Sequence, residues 1–280
     1  MKVLLIGTDK NKSGASLSMV ALAKIAQSKG IDVRIIITKH GPLEEELIRQ
    51  NLEYYIVNSY NWIEKDKTLI NTIIKLIKKI LNITADYKVL KILNDFEPDI
   101  VHINTICSGV GARPGLKKKK LLVWHIREFV EEDHGFEFWN KKNAYSLISK
   151  SDAIIAISES VYSKFSEIFS KQNLKVIYNG IDIEKFYFPE MHAFTDEKKV
   201  EVYMGGSIAE SKGQYLLIQA ANYLKKSTNI QFIIHIVGSG DKNYVKKLQE
   251  TVEKNNLQEV IIFEGFKNRM ELEWLKADIA

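Results

Sequence analysis

Val176-Ile177-Tyr178-Asn179-Gly180-Ile181-Asp182 closes an apolar run with an Asn-Gly turn signal, and the same pattern of segments lies on either side of it. On its N-terminal side, short β-branched runs at Val3–Ile6, Val33–Ile37, Tyr54–Val57, Ile100–Ile103, Leu121–Trp124, Ala153–Ile157 and Lys175–Tyr178 read as strands, with helical periodicity in most intervals between them. On its C-terminal side, Phe186, Pro189 and a polar stretch to Lys199 carry no strong period and read as a linker. The pattern then restarts with strand Val200–Met204, a helix from about Lys212, strand Phe232–Val237, a helix from about Tyr244, strand Val260–Phe263 and a helix from about Arg269.

Strands alternating with helices are laid into a parallel sheet covered on both faces, which defines the fold class as α/β. Two doubly wound, Rossmann-like parallel-sheet domains are expected: residues 1–188 with the linker, and residues 189–280, in which only three strands fit. Ligands in such sheets bind at the carboxyl ends of the strands, so a site is expected in a cleft where the two sheets face each other.

Composition excludes several classes. The chain has 280 residues, 45% of them hydrophobic, and four prolines, which is enough apolar material for a real core. Forty basic against 35 acidic residues leave a net charge of +5, interspersed rather than massed, which argues against nucleic acid as a partner. Cys107 is the single cysteine, and no Cys/His cluster has zinc spacing, so neither a disulfide nor a metal is expected and a reducing, cytoplasmic setting fits. The apolar run Val3–Ile6 is too short for a signal peptide, and no apolar run reaches the roughly 18 residues of a membrane-spanning helix.

Five strand ends carry candidate chemistry. Thr8-Asp9-Lys10-Asn11-Lys12-Ser13-Gly14-Ala15-Ser16 opens a helix, and Gly14 and Ala15 leave room for its backbone N–H groups to approach an anion or a sugar hydroxyl. An ordinary strand-to-helix turn reads the same way, and the Gly-x-Gly-x-x-Gly dinucleotide fingerprint is absent. Trp124-His125-Ile126-Arg127-Glu128 places three ionisable side chains where a parallel sheet presents its functional loops, which favours a functional over a structural His125. Met204-Gly205-Gly206-Ser207, followed by Lys212-Gly213, outlines a diphosphate site: glycines admit the ligand, and a lysine adds charge to a helix N-terminus. A surface turn is the alternative. His235-Ile236-Val237-Gly238-Ser239-Gly240 and Phe263-Glu264-Gly265-Phe266 repeat glycine at two further strand ends, and the convergence of three such ends carries the reading.

Two basic features remain. In the helix Lys67–Leu93, residues Ile70, Ile73, Ile74, Ile77 and Leu81 form an apolar stripe with Lys75, Lys78 and Lys79 off it. That suits peripheral contact with an anionic inner membrane face, and it equally suits a helix packed on a core. The run Lys117–Lys120 reads as a solvated loop, with phosphate attraction as the alternative.

Together these segments resemble the retaining glycosyltransferases of family 4, of the GT-B type. The likeness rests on Ser151-Asp152-Ala153-Ile154-Ile155-Ala156-Ile157-Ser158-Glu159-Ser160-Val161, on Asn179-Gly180-Ile181-Asp182 with Phe186 behind it, on Gly206 with Lys212-Gly213, on Ile236–Gly240, and on Phe263–Phe266. The resemblance implies transfer of a sugar, with retention, from a nucleoside-diphosphate-sugar, UDP-sugar favoured, to a hydroxyl of a sugar or lipid-linked acceptor in glycan or glycolipid biosynthesis. No further cofactor is implied, and the sequence has no Asp-x-Asp metal motif. By the resemblance, Gly206, Ser207, Lys212, Gly213, Gly238, Gly240 and Phe266 hold the donor, and Gly14, Ala15, His125, Arg127 and Glu128 hold the acceptor and sugar. Lys212 would neutralise the diphosphate leaving group, with His125 beside the reacting sugar.

Two departures from the family pattern bear on activity. Many members carry an arginine where this sequence has Ser207, so one charged diphosphate contact is replaced by a neutral one. The family continues past the segment Leu275–Ala280 into a strand-loop-helix bearing two glutamates. A missing C-terminal segment or an oligomeric partner is therefore expected, since Val200–Met204 would otherwise be an open sheet edge. A catalytically silent nucleotide-sugar-binding or accessory subunit is the alternative from another class, and a sugar-nucleotide epimerase is a third reading.

Overall fold

Alternating side chains decide the architecture of the first unit, because Leu4 and Ile6 of the first strand point to one face of the sheet and Leu5 to the other. In the computed structural model, which describes residues 1–65, 69–187 and 199–280, the chain divides into Met1–Gly180 and Ile181–Ala280. Residues 188–198, with Pro189 and the boundary read at 188/189, lie outside the described residues, as does Lys67.

From the N-terminus the elements are β1 (Lys2–Ile6), α1 (Gly14–Ser28), β2 (Asp32–Ile37), α2 (Pro42–Arg49), β3 (Glu53–Ile56), β4 (Ile63–Glu64), α3 (Leu69–Phe96), β5 (Ile100–Ile103), α4 (Ala112–Lys117) and β6 (Leu121–Ile126). Then follow α5 (Val130–His134), β7 (Glu137–Phe138), α6 (Lys141–Ile148), β8 (Ala153–Ala156), α7 (Glu159–Phe165) and β9 (Leu174–Val176). Seven strands form a parallel sheet in the order β3-β2-β1-β5-β6-β8-β9. The chain starts near the middle and winds outward in both directions, the doubly wound plan read from the sequence. One core packs Met19, Ala23, Leu43 and Leu47 of α1 and α2 against Leu5, Ile35 and Ile37. The larger core, on the opposite face, packs Val89, Leu93, Phe96, Leu147 and Phe165 against Leu4, Val101, Leu122 and Trp124. The β4–β7 pair, with Ile63 opposite Phe138, is antiparallel and separate from the main sheet.

The second unit comprises α8 (Ile183–Phe186), β10 (Val200–Gly205), a single 3-10 turn Glu210–Lys212, α9 (Gln214–Ser227), β11 (Phe232–Val237), α10 (Lys242–Lys254), β12 (Ile261–Gly265) and α11 (Met270–Trp274). Its parallel sheet runs β10-β11-β12, with Ile218, Ala221, Leu248 and Val252 of α9 and α10 packed on Ile234, Ile236 and Ile261.

Two expectations are corrected, and one of two alternatives left open is decided. The helix read from about Lys212 begins at Gln214, because Gly213 has φ +79° and separates it from the 3-10 turn. Strand β10 is not bare on its outer side: Ile279 bridges Val202 in parallel, and Tyr203 N donates to Ile279 O at 2.8 Å. The open edge expected beside Val200–Met204 is therefore occupied at those positions. The stripe in α3 does not face the core, since Ile73, Ile74, Ile77 and Leu81 are exposed, whereas Ala85, Val89, Leu93 and Phe96 are buried.

Candidate active site

Strand β6 ends at Ile126, and the side chains on either side of that residue form a buried polar cluster in the first unit. Arg127 is its hub. Nε donates to Asn104 Oδ1 at 2.8 Å, Nη1 to Asn179 Oδ1 at 2.6 Å and to Ser18 Oγ at 3.1 Å, and Nη2 reaches His125 Nδ1 at 3.2 Å. Four elements are thereby tied together: the start of α1, the end of β5, the end of β6 and the Asn-Gly turn after β9. Asn104 in turn donates to Ala15 O at 3.0 Å, so the helix opening read at Gly14 and Ala15 is fastened to the same cluster. Ser13 caps that helix by accepting from Ser16 N. A Cβ on Gly14 would meet nothing within 4 Å, which leaves the approach to the helix start open. Glu128 accepts from the Thr105 hydroxyl, and Thr105 Oγ1 also accepts from Cys107 N at 2.9 Å.

The electrostatics follow from burial. Arg127 is 8% exposed, and its pKa is pushed down to about 10 by desolvation, opposed by the Glu128 carboxylate. Among the described residues its hydrogen-bond acceptors are neutral, which leaves a buried cation without a directly bonded carboxylate. His125, also buried, is held down to about 3 by burial, then by Arg127 and His102. His102 on β5 is held down to about 4 by burial and Arg127. The two imidazoles lie 5.5 Å apart, centroid to centroid. Arg127 donates to Nδ1 of His125, so the proton of the neutral ring sits on Nε2. The Nε2 atoms of both histidines are buried and lack a hydrogen-bond partner among the described residues.

A pH effect on stability follows. Both folded-state values lie below the ordinary 6.5, so the unfolded chain binds more protons than the folded one in that window. Stability is unaffected above about pH 6.5 and is lost as pH falls toward 4 and 3, by roughly 2–3 kcal/mol per histidine at pH 4.5. Denaturant midpoints followed from pH 7.5 to 4.5 should fall, and His102→Gln should blunt the fall. A variant as acid-sensitive as the parent would contradict this account.

In the second unit the strand-end glycines are packed against one another. Gly206 N donates to Val237 O at 2.9 Å, Ile208 N to Ser239 O at 2.9 Å, and Gly238 N to Gly265 O at 2.8 Å. A Cβ on Gly238 would lie 1.7 Å from Gly206 O, and one on Gly240 would lie 2.0 Å from Ile208 O. Those two positions therefore need glycine for the close passage of neighbouring loops, whatever they bind. Gly206, by contrast, has open space at its Cβ position. Ser207 and Phe266 are exposed, and Lys212 is exposed in the 3-10 turn ahead of α9. Its ammonium has no hydrogen-bond or carboxylate partner among the described residues. Gln214, buried, pins the loop: Nε2 donates to Ser207 O at 3.0 Å and Oε1 accepts from Ala209 N at 3.4 Å.

His235 belongs to a separate arrangement. Its nitrogens face Glu264 Oε1 at 2.9 Å and Glu201 Oε2 at 2.7 Å, and its ring stacks on Tyr203. Among the described residues no group of three or more His, Cys, Asp or Glu could hold a metal ion.

Sequence reasoning missed Ser18, His102, Asn104, Thr105 and Gln214, and read Asn179 as a turn and motif residue but not as a site residue. Asn104 and Thr105 follow strand β5 directly, so the strand-end rule that selected His125 would have found them. Ser18 and Gln214 lie inside helices and carry no such signal.

Two parallel α/β units, one with a polar cluster at its strand ends and the other with interlocked glycine loops ahead of a helix, make up the GT-B plan found among glycosyltransferases. The chain belongs to glycosyltransferase family 4, whose family model, Glycosyltransferase Family 4, matches residues 12–185, with Glycosyl transferases group 1 matching residues 189–280; it is a glycosyltransferase. No curated protein sequence matches the chain. Similar solved structures include Anabaena Alr3699/HepE in complex with UDP and glucose, 19% identical with a TM-score of 0.76 over 99% of this chain and 72% of that one. A glycosyltransferase from Rickettsia africae is 17% identical, with a TM-score of 0.73 over 99% of this chain and 71% of that one. An S. aureus TarM variant in complex with Fondaparinux, alpha-GlcNAc-glycerol and UDP is 14% identical, with a TM-score of 0.60 over 95% of this chain and 77% of that one. At these identities the likeness is one of fold.

Proposed function

We propose that the protein transfers a sugar from a UDP-sugar, with retention, to a hydroxyl of a glycan or lipid-linked acceptor. The observation that carries this reading is the unpaired ammonium of Lys212, beside interlocked loops that expose Gly206 and Ser207 and just ahead of the positive end of α9. A cation and a helix N-terminus together favour a pyrophosphate, and their effect grows as the leaving group gains charge. The UDP-bound Anabaena structure supports the choice of nucleotide for a chain of this fold. In this reading Gly206, Ser207, Lys212, Gly213 and Phe266 face the donor, while Gly238 and Gly240 hold the loops in register.

His125 with Arg127 and Glu128 is assigned to the sugar and acceptor. Nε2 of His125, the ring's donor, is buried and has no hydrogen-bond partner among the described residues. Arg127 holds the imidazole ring in that tautomer. Gly14 and Ala15 offer backbone N–H groups close by.

Calorimetry of the chain with UDP-, GDP- and ADP-sugars, followed by a donor-hydrolysis assay, tests the reading. UDP-sugar binding with turnover is the expected result. Binding without turnover would favour the silent subunit, and epimer formation without an acceptor would favour the epimerase.

A further inference from the structure

The helix α3 is apolar on two opposite sides. Its C-terminal half buries Ala85, Val89, Leu93 and Phe96. From Ile73 to Tyr87, the residues Ile73, Leu76, Ile77, Ile80, Ile83 and Tyr87 recur at helical spacing on the other side and are between 52% and 74% exposed. An exposed apolar ridge of this length normally has something covering it.

Beside this ridge, and sharing Ile83 and Tyr87 with it, lies a groove of about 680 Å³ walled by Trp62, Leu90 and Trp139. Several of its polar groups are already engaged. Asn82 exchanges two hydrogen bonds with the backbone of Tyr60, Asp86 accepts from Gly111 N, and Trp62 Nε1 donates to Ile106 O. Asn140 Oδ1 accepts from Asn143 N at the start of α6. Between Trp62, Leu90, Ala144 and Trp139 the groove offers mainly ring faces and aliphatic carbon, which suits hydrocarbon. Lys79, Arg113 and Lys117 line it as well, and all three are exposed.

We propose that this face of the first unit docks on an anionic lipid bilayer. The ridge enters the headgroup region, the groove takes part of one lipid chain, and Lys79, Arg113 and Lys117 meet phosphates. Charge favours lipid over a second copy of the chain, because a twofold contact would set those cations against themselves. Asp86, the acidic residue of the groove, already has Arg113 at 4.0 Å. Among the described residues no helix is long and apolar enough to cross a membrane. The proposal is independent of the transfer chemistry.

Flotation of the full chain tests it, using vesicles of phosphatidylcholine alone and vesicles with roughly one third phosphatidylglycerol. Binding to the anionic vesicles that weakens with salt is expected. The paired substitution Ile77→Asp with Ile80→Asp, at exposed positions where the fold should be unaffected, should weaken binding by at least about tenfold. A circular-dichroism melt checks that the variant is folded. Lys79→Gln with Lys117→Gln should weaken binding to anionic vesicles several-fold and leave the weak binding to neutral ones unchanged. Brominated lipid chains should quench tryptophan emission, and Trp139→Phe should reduce that quenching. No binding to anionic vesicles, equal binding by the folded aspartate variant, or dimerisation through the ridge without vesicle binding would each overturn the proposal.

Discussion

Replacing Lys212 by alanine is expected to lower kcat by roughly 10²–10³-fold, about 3–4 kcal/mol, while changing donor affinity much less. The ammonium is exposed and has no partner among the described residues, so no ion pair has to be broken before it can meet a ligand. Its removal should also leave stability within about 0.5 kcal/mol, as for other unpaired surface side chains. The charge on a departing diphosphate is largest once the bond to the sugar has stretched, so a fixed cation lowers the barrier more than it tightens ground-state binding. Lys212→Arg should recover part of the loss, because the charge is kept while its position shifts. Steady-state kinetics with a UDP-sugar would show the split, and an unchanged kcat in the folded alanine variant would remove Lys212 from the mechanism.

A second large effect is expected for Gly238→Ala. Both Gly206 and Gly238 occupy a backbone region that other residues rarely adopt, with φ of 142° and 152°, but only at Gly238 does a methyl group run into backbone, 1.7 Å from Gly206 O. Backbone cannot rotate away as a side chain can. The neighbouring loop must shift, with loss of the hydrogen bonds Gly206 N to Val237 O and Ile208 N to Ser239 O. Gly238→Ala should therefore lower the stability of the second unit by about 3 kcal/mol or more, and weaken donor binding with it. Gly206→Ala carries the conformational strain alone, about 1–2 kcal/mol. Urea unfolding of the two variants compares them directly; equal losses would mean that loop contact plays no part.

The fold was legible because its determinants are local and repeated. Runs such as Ile35-Ile36-Ile37 and Ile154-Ile155 can be buried on both faces of a sheet only if helices lie on each side, and the winding rules leave few arrangements. The β4–β7 pair was not legible, since two-residue strands have no period and Ile63 meets Phe138 only through tertiary contact. The direction of the α3 stripe was equally hidden: periodicity shows that a face exists but not what covers it. At the site, His125 and Arg127 stood out by position, yet their environment did not. That Arg127 is buried among neutral partners, and that His102 lies beside His125 from another strand, its ring tilted against it, are consequences of sheet register.

The side chain at position 214 offers one atom that gives a proton and another that takes one, each matched to a different backbone group of the same loop. A carboxylate could serve only Ala209, and a hydrocarbon neither. The requirement is for an amide with a definite orientation, so an isosteric exchange to glutamate, conservative in shape, would set like polarity against Ser207 O and release the hairpin of backbone ahead of α9.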